Sequence, residues 1–348
     1  MAQRIDIPER LTPLDSINCA KHIVNCPANK EFIYDFSNMQ HCHPFGLLLI
    51  GNAIRRNKKH YSNSKHTLLG VGFSQGSNFA SDLGFFQYIG WDIGRRTSLQ
   101  DYGIRHIPIK KITIKDLQNQ GINTLVLGEL IDTYAGELAF TLTQDEQSEI
   151  TKTFQYCLRE MIRNSFEHGK VNEVWVCGQF WPSRNEAEIA LIDEGCGIRS
   201  SLRTNRRFKI SSDEEANKLA LQPGASRMVG KAQDPYDSWQ NSGYGLFMAS
   251  ALCCMGGYFI LGSGSDATLI NNLEQINYQS NIKGTAICMN LHTNRIRNLK
   301  SNLDDLAAVG RAQALFYSDS RILTASKAST IASLVRDIQF SDGDGSTD

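Results

Sequence analysis

The sequence predicts an α+β fold in two domains with a tail, and three observations predict it. From Met1 to Ile114, strand-like runs (Glu31 to Phe36, His66 to Phe73, Ile104 to Ile114) alternate with helical ones (Pro44 to Arg56, Ser81 to Ile93), the pattern of an α/β layer. Ile150, Phe154, Leu158, Met161 and Ile162 then recur at the spacing of an amphipathic helix, so that this stripe packs into a core. Beyond it, Glu188 to Ile192 and the run that starts at Lys283, Gly284 and Thr285 alternate with period two, as half-buried strands do.

Each element has a local reason. EFIYDFSNMQHCHPFGLLLIGNAIRR reads as a strand, a short turn and a helix opened by Pro44, a residue favoured in a first turn. Residues 115–142 read as a mostly helical connector broken at Gly121. Thr143 and Glu146 form a T-x-x-E capping box at the head of the next helix. Residues 199–241 lack periodicity, which is long for a connection inside a compact domain unless it is functional or mobile. In the tail, 296–348, SNLDDLAAVGRAQALFY reads as a helix and SDGDGSTD as a disordered end.

Composition narrows the function classes. With 348 residues, 41% of them apolar, the chain can bury two cores of ordinary size. Its 36 basic and 36 acidic residues cancel, which gives no electrostatic case for nucleic acid or a membrane surface. PFGLLLIGNAI is too short to span a bilayer and has no signal-peptide start. Nine cysteines without a CxxC pair read as reduced thiols, and together these features predict a cytoplasmic protein. His41, Cys42 and His43 hold metal-binding side chains, but neighbours on an extended chain point to opposite faces, which argues against a metal site.

The chemistry concentrates in four segments. LREMIRNSFEHGK sets Glu160, Asn164 and His168 at i, i+4, i+8 on one edge of the amphipathic helix; alone, this reads equally as a solvated edge. AEIALIDEGCGIRS ends its strand in Asp193, followed by Gly195 and Gly197, a carboxylate at a strand mouth beside backbone that a ligand can approach closely. NSGYGLFMASALCCMGG places Gly243, Gly245 and Leu246 at the start of an apolar helical run, where free amides meet negative charge. IKGTAICMNLH opens a strand at Thr285. His168 also fits a helix end, bonding free carbonyls before Gly169.

In this order the four segments resemble the ATP pocket of the GHKL ATPase superfamily, over roughly Thr143 to His292. The resemblance implies a two-layer α/β sandwich of the GHKL (Bergerat) type with a mixed sheet at 143–295, binding ATP and Mg²⁺. It implies that Glu160 orients or deprotonates the nucleophile, Asn164 holds the metal, Asp193 bonds the adenine amino group, and Gly243 and Gly245 contact phosphates. His168, Gly195, Gly197, Leu246 and Thr285 complete the implied nucleotide site, and 199–241 corresponds to the ATP lid. Arg203, Arg206, Arg207, Arg227 and Lys231 are its candidate phosphate contacts, or simply the bases of a solvated loop. The form E-x-x-x-N-x-x-x-H-G, from Glu160 to Gly169, looks most like the anti-sigma-factor serine kinases, which implies a protein partner or substrate and leaves a homodimer open. The segment around Pro44 is similar to STAS domains, which makes 1–114 a smaller STAS-like α/β domain. Phe45 stands where phosphorylated STAS domains carry a Ser or Thr, so that domain is expected to dock or sense, not to be a substrate.

Overall fold

In a computed structural model, described for residues 2–94, 105–118, 127–225 and 243–317, the described residues build a five-stranded sheet, a three-stranded sheet and a two-stranded pair, with helices between and outside them. The N-terminal part runs β1 (Ala2–Asp6), β2 (Arg10–Leu11), α1 (Pro13–Asn25), β3 (Glu31–Asp35), β4 (His41–Cys42), α2 (Pro44–His60), β5 (Lys65–Leu69), α3 (Gln75–Asp82) and α4 (Phe85–Tyr88). β1, β3 and β5 form a parallel three-stranded sheet, with Ile33 opposite Arg4 on one side and Thr67 on the other. β2 and β4 make a two-residue parallel pair. Thr12 caps α1 by accepting the Asp15 amide, and Pro13 occupies its first turn. The helix expected at Ser81 to Ile93 is instead two short ones, α3 and α4, parted at Gly84, whose φ of 75° a β-carbon would strain.

The second part contains β6 (His106–Thr113), α5 (Ile114–Gln118), α6 (Leu127–Thr143), α7 (Glu149–Gly169), β7 (Glu173–Trp181), β8 (Glu186–Asp193), α8 (Gly197–Leu202), α9 (Asp213–Ala220), α10 (Gly245–Cys253), β9 (Tyr258–Asn271), β10 (Gln275–His292) and α11 (Leu299–Tyr317). Its sheet has the order β6-β7-β8-β10-β9, and every neighbouring pair is antiparallel. This corrects the expectation of a mixed sheet. β7–β8 and β9–β10 are joined by short turns, and such turns enforce antiparallel pairing.

Domain boundaries shift as well. β6 pairs with β7 and so belongs to the five-stranded sheet, not to the N-terminal layer. The connector is not a spacer: α6 buries Ile131, Leu138 and Leu142 in the same core as Phe154, Leu158 and Ile162 of α7. The capping box at Thr143 and Glu146 is absent, because α6 runs through Thr143 and the cap of α7 is Ser148, whose oxygen accepts the Thr151 amide. In the expected tail, α11 buries Leu299 and Leu303 in this core, and the Leu299 amide donates to Glu149. Gly121 and SDGDGSTD lie outside the described residues.

The two parts share a core. On β8, Ala187, Ile189 and Leu191 face the α6–α7 side, while Ala190 and Ile192 pack with the N-terminal core. β10 divides likewise, with Ile287, Met289 and Leu291 on one side and Ala286 and Cys288 on the other. The sheet is therefore covered on both faces, by α6, α7 and α10 and by α1 and α2, so that the architecture exceeds two layers. α2 lies between the three-stranded and five-stranded sheets, and its N-terminal half is apolar all round for that reason, with Phe45, Leu47, Leu48, Leu49 and Ile50 all buried. No described helix is long and apolar enough to cross a membrane.

Candidate functional site

A single cleft collects most of the residues singled out in the sequence. It opens between α7, the C-terminal end of β8, the middle of β10, α8 and the N-terminus of α10, and it encloses about 680 Å³ including its open mouth. Asn164, His168, Asp193, Gly197, Gly243, Gly245, Leu246 and Thr285 all line it.

The helix α7 supplies one wall because its 3.6-residue period brings Asn164 and His168 to the same edge, while Leu158 and Ile162 hold the opposite stripe in the core. It ends at Gly169, where Lys170 turns the chain in the left-handed region at φ 54°. The antiparallel register places Thr285 directly opposite Asp193, so that two polar groups 92 positions apart meet at the floor of the cleft.

Asp193 is 3% exposed. Its Oδ1 accepts the Gly195 amide at 2.8 Å and its Oδ2 accepts the Ser165 hydroxyl at 3.1 Å. Burial pushes this carboxyl up to about 6, against the opposing pull of the bonds from Gly195, Ser165 and Thr285. Gly195 thus stands behind Asp193 and does not line the cleft. Gly284, at φ 75°, must be glycine, since a β-carbon there would lie 2.2 Å from the Asp193 carbonyl oxygen.

At the other end, α10 starts at Gly245, and the side chain of its N-cap residue Tyr244 does not cap the first turn; a helix start of this kind suits an anion. Glu160 is not a lining residue. It is buried beneath this helix start, with Oε2 where a β-carbon on Gly245 would come within 2.0 Å. Its Oε1 accepts from Arg159 Nε at 3.2 Å and lies 3.8 Å from Arg163 NH1.

Compared with protein-family models, curated proteins and solved structures, the chain matches none of them. The chemistry of the cleft therefore rests on its own geometry.

The expected lid is partly ordered helix. α8 and α9 fall inside 197–220, and Ile198, Ser201, Leu202 and Ala220 from them form an apolar wall with Leu261 and Ile287. α9 is clasped to β9, where Asn217 donates to the Asp266 carboxylate and carbonyl and the Ser265 amide donates to Asp213. Arg203, Arg206 and Arg207 are exposed and are not lining residues, whereas Arg227 and Lys231 lie outside the described residues.

Sequence reasoning missed Ser165 and the apolar wall. Ser165 was legible only as the neighbour of Asn164, since its bond to Asp193 spans 28 positions. Among the described residues, no group of three or more His, Cys, Asp or Glu side chains could hold a metal, the His41–His43 segment included. A hard cation here would take the Asn164 amide oxygen together with ligand oxygens and water, a set that fits Mg²⁺.

Proposed function

We propose that the cleft binds ATP with Mg²⁺ in the manner of the GHKL ATPases and that the protein hydrolyses it or transfers its γ-phosphoryl group to a hydroxyl of a protein partner. The observation that carries this reading is a buried, hydrogen-bonded Asp193 at one end of a cleft whose other end is the start of α10 at Gly245. The first suits an adenine amino donor, and the second suits phosphates.

In this reading the base lies on the apolar wall of Ile198, Leu202, Leu261 and Ile287, with its amino group donating to Asp193. Asn164 would hold Mg²⁺ through its amide oxygen, and the metal would supply charge neutralisation at the phosphates. Glu160, one turn before Asn164, packs Oε2 against Gly245 at the cleft's edge and is the residue that would take the general-base role.

One observation favours a second reading. Arg159 and Arg163 occupy Oε1 of Glu160, and a carboxylate held in this way also suits a non-catalytic, ATP-gated interaction switch. Glu160→Ala separates the two. In the enzyme, turnover falls by about a hundredfold or more while nucleotide affinity stays, the usual scale for a lost general base. A switch instead keeps its partner response to ATP, as read by partner pull-down with and without nucleotide.

A further inference from the structure

Arg159 is a fully buried cation on α7, and it is shared between two carboxylates. Its NH1 donates to Asp132 Oδ1 at 3.2 Å and its Nε to Glu160 Oε1 at 3.2 Å, and its guanidinium carbon sits 5.0 Å from the centre of the Tyr156 ring. Asp132, on α6, is also fully buried, and its carbonyl accepts from Gln155 of α7 at 3.2 Å. The other nearby cation, Arg163, is engaged by Glu167 through both Nε, at 3.0 Å, and NH2, at 3.4 Å. A buried ion pair of this kind is a poor source of stability, because desolvation offsets its attraction and apolar residues of like volume serve as well. What it supplies is direction. With the guanidinium fixed by Asp132, the bond to Oε1 sets the plane of the Glu160 carboxylate and leaves Oε2 facing the start of α10.

We propose that Asp132 is a positioning residue for the reaction at Glu160: acting through Arg159, it holds the Glu160 carboxylate with Oε2 toward the nucleotide. The inference rests on the ATP-turnover reading above. It gives α6 a part in the chemistry although no residue of α6 lines the cleft.

The test is Asp132→Asn, with ATP affinity read by calorimetry, kcat and KM by steady-state turnover, and folding by thermal melts, in wild type and on a Glu160→Gln background. We expect ATP affinity and KM within about twofold of wild type and kcat lower by about tenfold to a hundredfold, the range for lost outer positioning partners. On the Glu160→Gln background the same change should cost almost nothing, since the two residues act as one unit. Asp132→Glu should recover part of kcat. Should Asp132→Asn fail to fold, the double variant Asp132→Leu/Arg159→Met replaces the pair with apolar residues and should fold, bind ATP and show the same loss of kcat. A folded variant with unchanged kcat, or an equal further loss on the Glu160→Gln background, overturns the positioning role. Absence of ATP binding by the wild type overturns the ATP reading, and with it this inference, before any variant is made. Binding without turnover by the wild type overturns the positioning role alone.

Discussion

At the scale of single residues, Asp193 is the group whose state the solvent can change. Its folded value of about 6 lies above its ordinary 3.8, so the folded protein holds this proton more tightly than the unfolded chain does. The stabilisation this gives is fully present below 3.8 and is lost as pH rises through about 6. Ligand binding has the opposite sense, because a donating amino group needs the ionised acceptor. Nucleotide affinity should be flat above pH 7 and should fall by roughly tenfold per unit well below pH 6. Calorimetric titrations between pH 5 and 8 check this, and an affinity independent of pH in Asp193→Asn assigns the effect. The carboxylate itself was legible in the sequence, as the polar end of an apolar strand before two glycines. Its partners were not, since Ser165 and Thr285 reach it through helix placement and strand register, which a linear pattern does not carry.

At the scale of elements, the docking of α2 on the sheet turns on Glu188. This residue was read only as the start of an alternating strand, yet it is 1% exposed and faces the N-terminal layer. It accepts the Phe45 amide from the first turn of α2 at 2.9 Å, His43 Nδ1 at 3.1 Å and the Tyr258 hydroxyl at 3.0 Å. A carboxylate at a helix start is favourable, and here it arrives from another element. The backbone amide of Phe45 thus anchors α2, at the position where the STAS pattern would carry a hydroxyl. Glu188→Ala removes the acceptor of the buried Phe45 amide and of two partly buried donors, and should destabilise the fold by about 2–3 kcal/mol in urea titrations, at about 1 kcal/mol each. Burial pulls His43 down, but its bond to Glu188 and the charges of Glu188 and Glu186 outweigh this and hold it above its ordinary 6.5. The stability from this pair is therefore fully present below 6.5 and is lost as pH rises through the folded value. His43→Gln should flatten stability against pH in that window.

For the whole molecule, the central consequence is that one sheet serves two cores. The sequence supported two domains and a tail, because a change of rhythm near residue 114 looks like a boundary. The fold instead carries the five-stranded sheet across that point through β6, and Cys177, Ile192, Ile260, Ala286 and Cys288 pack against the N-terminal helices. Both faces of β8 are apolar, so alternation alone left open which layer covers the second one. The described regions should unfold in one cooperative transition, with tryptophan fluorescence, which includes Trp175 at the interface beside Arg55 and Tyr88, tracking the far-ultraviolet signal. Two separated transitions would mean that the layers are stable independently. This shared sheet also puts the cleft and the N-terminal layer on opposite sides of the same strands. Asp193 faces the cleft, while Glu188, five positions earlier on β8, anchors α2.

The most direct test of the account is calorimetric binding of ATP, ADP and a non-hydrolysable ATP analogue with and without Mg²⁺, in wild type, Asn164→Ala and Asp193→Asn. The account predicts that wild type binds all three, that Asp193→Asn weakens each by about tenfold or more, as expected for a lost buried charged hydrogen bond, and that Asn164→Ala removes most of the dependence on Mg²⁺. A wild-type protein that binds none of them, or variants that bind as tightly as wild type, would contradict it.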